Sequence, residues 1–511
     1  MSKSDNAHLK AIEDLLCYSR LHLMLNEENA SYLRNRLLDL LDLSEPIRGY
    51  TPDEETVSKM KSPSPILKTL TDFAVTAKKI SAAAAVRLEY RLLDTVAPLP
   101  SKVSEAFDDT AARKGIKAAC DFLYDYYVKS NSIKYDEVIS NLGWTAEGSL
   151  GKLNIMINMA RRQRLPKTSA RYPLCPLCTE NAGFTGETGY PPRTAFRYIP
   201  LFLDDKVWYF HYSPFKYFSG HFNVVSSVHE PMTNSPDSPK TMFDFLEIFP
   251  HYFIAYNAPL KGIGASNTEH DHYLGGECDM PIFSAGARLR LSGAEFPDLR
   301  VTVTDWYNTA LRLESRRRQS VERAYAVILN EFLDYSAPKL RLRASSGKLR
   351  HNATALTARF NKDNEYTLEV FLRNNYADEE HPNGVFDSVP EYRTIKDESI
   401  GVIESLGCFI LPAELGESAQ GIKDFMLGKS ALKDLSDPAH PMTQYLPMIA
   451  QLINDNGTNI DEDEAERAIE QYINKTCERL LAATDIFGSD NGVKELLKLL
   501  KKCGFEPGAN A

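Results

Sequence analysis

The chain has 511 residues and carries 59 Lys and Arg against 69 Asp and Glu, a formal net charge of −10. Apolar residues make up 43% and charged residues 25%, a balance that excludes a disordered chain, a collagen-like chain and a disulfide scaffold. At roughly 100–200 residues per domain the length predicts two to four units, and the acidic balance argues against a nucleic-acid partner, which wants a basic face.

The start, Met1-Ser-Lys-Ser-Asp-Asn6, lacks the apolar core of a secretory leader. No stretch approaches the ~18 apolar residues of a membrane helix. Residues 7 to about 128 read as helices. Leu9, Ile12, Leu15 and Leu16, then Leu33, Leu37, Leu38 and Leu41, recur at helical spacing. Ser44-Glu45-Pro46 stops the second segment, and 82–93 is a further strong helix former that ends before Pro98 and Pro100. The basic run at 161–167 reads as an exposed connector.

Aromatic and β-branched residues then take over. Residues 206–212 and 222–226 are expected strands, and 243–256 a helix interrupted at Pro250. Short strands follow at 301–304 and 311–313, then an amphipathic helix over 320–335. A hairpin is expected from 355–360 and 366–373 around Asn361-Lys-Asp-Asn364. Asp461 opens a late acidic helix, as its N-cap or in its first turn. The sum is an α+β fold: a mixed, mainly antiparallel sheet body with helical additions at both ends. We expect a helical region over 1–165, two α+β halves over 166–300 and 301–430, and a helical region over 431–511.

Of the eight cysteines only Cys175 and Cys178 are close in sequence, the usage of a reducing cytoplasm. Cys-x-x-Cys beside proline favours a tight knuckle that binds one zinc; two further ligands would come from His221, His229, His251 and His270. The densest polar cluster is Gly262-Ile-Gly264-Ala-Ser266-Asn-Thr-Glu-His270-Asp-His272-Tyr-Leu-Gly275-Gly276. Two histidines one residue apart on a strand face the same way, and the Gly and Ser before them suit close approach of backbone N–H groups to phosphate. A neutral imidazole is a fit nucleophile for phosphorus. Arg193, Arg197, Arg359 and Arg373 are candidate diphosphate binders. No P-loop and no G-x-G-x-x-G is present, which removes the main support for kinase and Rossmann readings.

Together these residues resemble a known family. Cys175-Pro-Leu-Cys178-Thr-Glu-Asn-Ala-Gly183, Pro192-Arg193, His229-Glu-Pro-Met232, Ser266, His270-Asp-His272 with Gly275-Gly276, and Ile400-Gly401-Val-Ile-Glu404 are similar to segments of the class II hexose-1-phosphate uridylyltransferases. The resemblance covers nearly the whole chain. It implies a histidine-triad-like sheet body, residues 166–300 as the nucleotidyl-transfer half, and transfer of UMP from UDP-glucose to galactose 1-phosphate through a uridylyl-histidine. It further implies His272 as nucleophile, structural zinc on Cys175, Cys178, His229 and His270, and phosphate contacts from Ser266 and Asn257. UDP-hexose and hexose 1-phosphate are then the partners, with no redox or nucleotide cofactor beyond the UDP-sugar. The oligomeric state stays open, a homodimer included.

Three departures stand out. Leu274 occupies the place of the family's phosphate-bonding Gln, Phe196 that of a common His, and Asp387-Ser-Val389 that of an expected His-Pro-His run. They leave two alternatives: a related His-x-His nucleotide hydrolase or phosphorylase, and a zinc-stabilised binding protein that has lost catalysis.

Overall fold

A computed structural model describes residues 6–159, 172–186, 193–264, 267–387, 392–458 and 460–508. The expected connector at 161–167 and the Ser266 candidate lie outside the described residues. The chain forms two compact units. The first comprises Met1–Ser140, Arg164–Lys216 and Gly220–Glu230, and the second Asn141–Gln163, Tyr217–Ser219 and Pro231–Ala511.

The first unit opens with the predicted helices. Ala7–His22, Ala30–Leu40, Ser64–Thr76 and Ala85–Val96 bury Leu15, Leu37, Leu67, Leu70 and Leu92, the apolar stripe that the sequence spacing marks. Gly115, at φ +90°, separates helix Pro100–Lys114 from Ile116–Lys129, a backbone conformation that costs glycine nothing. The last of these helices holds the following chain through phenols. Tyr126 donates to Ala195 O at 2.9 Å, Tyr127 to Arg197 O at 2.6 Å and Tyr212 to Cys120 O at 3.0 Å. Strands Ile199–Leu203, Lys206–Tyr212 and Phe222–Ser226 form an antiparallel meander.

In the second unit eight strands form one antiparallel sheet. Their spatial order is Glu506–Pro507, Ala287–Ser292, Arg300–Thr304, Ala310–Ser315, Tyr366–Asn374, Asn352–Phe360, Phe253–Tyr256 and His272–Gly276. The predicted hairpin is there, with Phe360 opposite Tyr366. A smaller sheet of Leu142–Glu147, Lys152–Asn158 and Cys408–Pro412 shares a hydrophobic core with it through Ile155, Ile157, Phe409, Ala355 and Phe371.

The expected helix over 243–256 is a correction. A helix runs over Ser238–Ile248, and Phe253–Tyr256 is a central strand between the His272 strand and the hairpin. Pro250 ends the helical hydrogen-bond ladder, and the aromatic run beyond it is buried on both faces, so sheet pairing overrides the helical periodicity. The late helix Glu462–Ala482 starts as expected. Asp461 accepts from Glu464 N at 2.8 Å while Glu464 accepts from Asp461 N at 3.1 Å, a reciprocal cap worth about 0.5–2 kcal/mol. No helix among the described residues is long and apolar enough to cross a membrane.

Candidate active site

In the first unit the Cys-x-x-Cys turn folds as a knuckle. Cys178 N donates to Cys175 O at 3.2 Å, and Leu177 N lies 3.4 Å from Cys175 Sγ. Asn181 braces the turn from below, its amide donating to Cys175 O at 2.9 Å and Cys178 O at 2.7 Å. The two sulfurs stand 3.6 Å apart, and His229 Nδ1 is 3.3 Å from Cys178 Sγ. Both cysteines are buried. Burial first, then the neighbouring Cys175, push the Cys178 thiol up to about 12. A cation is what would make thiolates of such a pair at neutral pH, and two sulfurs with one imidazole nitrogen are the donor set zinc prefers.

Of the four candidate histidines, His229 is the one this unit brings to the sulfurs. His221 is fully enclosed beside His211, and burial lowers its pKa to about 3. His251, in the second unit, packs its ring 4.1 Å from that of Tyr252.

Arg197, expected on phosphate, is a correction. Its Nε donates to Pro98 O at 2.8 Å, and Nη1 donates to Thr194 O at 2.7 Å and Phe196 O at 2.9 Å. It is 3% exposed, so its donors secure main-chain carbonyls that burial would otherwise leave unpaired. Arg193 differs. Its guanidinium lies 4.9 Å over the Phe196 ring, and among the described residues its buried Nε has no partner. Phe196, in the place of a common His, is itself 3% exposed and sits 5.5 Å from Tyr127, ring to ring.

In the second unit His272 begins its strand, while His270 and Asp271 precede it. The two histidines are therefore not successive same-face residues of one strand, as the spacing predicts. Instead the chain bends so that His272 Nδ1 donates to His270 O at 2.8 Å. That bond fixes the tautomer and leaves the lone pair on Nε2. Desolvation, against the favourable His270 carbonyl, lowers the imidazole to about 4, so the ring is neutral at pH 7. His270 itself is buried.

The residue between the histidines faces a clamp that the sequence reading missed. Tyr256 OH lies 2.9 Å from Asp271 Oδ1 and 3.1 Å from Thr233 O, and accepts from Thr233 N at 3.0 Å. A tyrosine at the end of a buried aromatic strand is the only sequence signal of it. Tyr256→Phe removes a buried hydroxyl from the half-buried Asp271 carboxylate and from the Thr233 main chain. We expect a loss of about 1–3 kcal/mol in denaturant unfolding and a fall in kcat larger than any change in KM.

The remaining candidates separate. Asn257 Oδ1 accepts from Val402 N at 2.8 Å. Gly275 and Gly276 lie in the ladder opposite Ile254 and Phe253, and a Cβ on Gly276 would stand 2.5 Å from the Phe218 ring. Gly276 thus makes room for an aromatic ring. Arg359 and Arg373 face Thr367 and Ala353 at opposite ends of the hairpin, too far apart to share one diphosphate. Arg359 stacks on Phe283 at 4.4 Å beside Glu369, and Arg373, 2% exposed, donates to Ile400 O at 2.8 Å.

Leu274 is 7% exposed and belongs to the hydrophobic core of the unit. Leu274→Gln therefore inserts an amide among apolar side chains. The expected outcome is a stability loss of about 1–3 kcal/mol with less than a tenfold change in turnover, read by chemical denaturation and a UDP-glucose assay. A rise above a hundredfold would show a site crippled by leucine.

The family model described as galactose-1-phosphate uridyl transferase, N-terminal domain, matches residues 24–231. The galactose-1-phosphate uridylyltransferase of Caldanaerobacter subterraneus subsp. tengcongensis is 32% identical, over 97% of this chain and 98% of the relative. Those of Bacillus subtilis and Fusobacterium nucleatum are 33% and 30% identical, over 80% and 96% of this chain and 81% and 98% of the relatives. No solved structure matches the chain significantly.

Proposed function

Because the chain belongs to the galactose-1-phosphate uridylyltransferase family, we propose that this nucleotidyltransferase passes UMP from UDP-glucose to galactose 1-phosphate through a uridylyl group carried on His272. The observation that carries the mechanism is the His272 ring, held through Nδ1 on the His270 carbonyl with Nε2 free to attack. Nε2 forms a bond to the α-phosphorus, and the bond to the bridging oxygen breaks as glucose 1-phosphate leaves. Galactose 1-phosphate then attacks the same phosphorus, and the imidazole leaves as the neutral base it was. Exchange between two sugar phosphates has little net driving force, which suits two similar steps through one nucleophile.

The groups proposed to meet the developing charge on the non-bridging oxygens are Ser266, the Asn257 amide and Arg193. Cys175, Cys178 and His229 are proposed to hold a structural zinc, with His270 as the fourth ligand. The three first-unit ligand atoms lie within 4.8 Å of one another, which supports the reading, and His270 rests on its place in the His-x-His motif. A closed four-ligand zinc supplies cross-linking of the chain rather than chemistry on substrate.

Incubation with UDP-glucose followed by intact-mass spectrometry tests the proposal. A uridylyl adduct that galactose 1-phosphate discharges is expected. UMP release by water, with no adduct, would favour the hydrolase alternative.

A further inference from the structure

Lys396 and Glu404 form an ion pair, Nζ to Oε1 3.0 Å, with side chains only 3% and 9% exposed. Burying two charges is costly, and pairs of this kind rarely add net stability over apolar residues of the same size. Their geometry shows what else the pair does. The second carboxylate oxygen of Glu404 accepts from Gly401 N at 2.9 Å. On either side of Gly401, Arg373 donates to Ile400 O at 2.8 Å and Asn257 Oδ1 accepts from Val402 N at 2.8 Å. Three successive residues of main chain are each held by a different side chain.

What lies on that main chain is the turn that leads into the His-x-His segment. Gly264 has φ +99°, and a Cβ there would fall 2.2 Å from Gly401 Cα, 2.4 Å from Ile400 O and 2.5 Å from Gly401 N. The backbones touch with no side chain between them, so the place of residues 400–402 fixes the place of Gly264.

We propose that the Lys396–Glu404 pair is a positioning device for the turn Gly262–Gly264, acting through Gly401, and that its carboxylate contact to Gly401 N is needed for transfer. The inference rests on the reading that the segment from Gly264 to His272 carries the chemistry. Lys396 orients the carboxylate, Glu404 fixes Gly401, and Gly401 seats the turn. A displacement of the order of 1 Å at such a site can cost ~10²-fold in rate.

Two double variants isolate the contact. K396M/E404Q and K396M/E404L both remove both charges of the pair, and Glu398, which Lys396 also meets at 3.4 Å, loses that partner equally in the two. Gln still offers an oxygen to Gly401 N, and Leu does not. Hydrogen exchange over residues 261–264 and steady-state kinetics with UDP-glucose are compared at matched melting temperatures. Exchange near wild type and kcat within about threefold are expected for K396M/E404Q, and faster exchange with kcat down at least about tenfold for K396M/E404L. Gly401→Ala gives a second route that keeps both charges while crowding the turn and, at 3.2 Å, Glu404 Oε2. Its Cβ would lie 3.1 Å from Asn257 Oδ1 and 3.2 Å from Gly264 O, and it should lower kcat in the same way. Equal exchange and equal kcat in the two double variants would overturn the inference, as would wild-type kcat in Gly401→Ala. Should the wild-type chain form no uridylyl adduct, the transfer reading fails on its own, while the exchange contrast still decides whether Glu404 anchors the turn.

Discussion

His272→Asn should abolish uridylyl transfer while leaving the fold intact. The asparagine amide can still donate to His270 O, the bond His272 Nδ1 makes at 2.8 Å, so the start of the strand keeps its local partner. It has no second ring nitrogen to attack phosphorus. Loss of a nucleophile from a site that works as a unit has cost up to ~10⁶ in kcat elsewhere, and we expect at least about 10³ here. The measurements are a coupled glucose 1-phosphate assay, intact mass after incubation with UDP-glucose, and thermal unfolding. No adduct, no turnover and a near-wild-type melting curve are expected. Near-wild-type turnover would reassign the nucleophile. His270→Asn is the informative comparison, because it keeps the main-chain carbonyl that holds His272 and so should retain a measurable fraction of the transfer rate.

Local chemistry was legible in the sequence where one segment decides it. The hairpin over 352–374 follows from alternation around a polar turn, and the cap at Asp461 from its own four residues. The Cys-x-x-Cys knuckle needs only its own turn and Asn181. What depends on distant chain was not legible. Phe253–Tyr256 reads as helix because its aromatics are buried on both faces, and its strand neighbours come from residues around 275 and 357. Arg197 reads as an anion binder because a free guanidinium is one, yet Pro98 and Thr194 carbonyls, unseen in a linear reading, occupy it. Leu274 reads as a missing donor, whereas the fold uses the position as core. The Tyr256–Asp271 clamp and the hold of Glu404 on Gly401 are contacts between segments with no motif of their own.

Protein purified without chelator should contain about one zinc per chain, and Cys178→Ala should lose it. Cys178 Sγ lies 3.6 Å from Cys175 Sγ and 3.3 Å from His229 Nδ1, so its removal opens the centre of the donor set. Structural zinc is worth ~10–16 kcal/mol in peptides that cannot fold without it. The first unit has its own helical core, so only part of that should appear as global stability, a drop of several degrees in melting temperature, with the larger loss confined to the Cys175–Gly183 turn. Cobalt substitution gives a readout independent of activity. Tetrahedral cobalt with two thiolates should show sulfur-to-metal charge transfer and intense visible bands, both absent in Cys178→Ala. His270→Ala tests the fourth ligand, since loss of one imidazole should weaken metal binding while preserving the thiolate bands. Metal analysis that finds no zinc or similar ion, together with no cobalt charge transfer, would show that this chain keeps the cysteine pair as buried thiols alone.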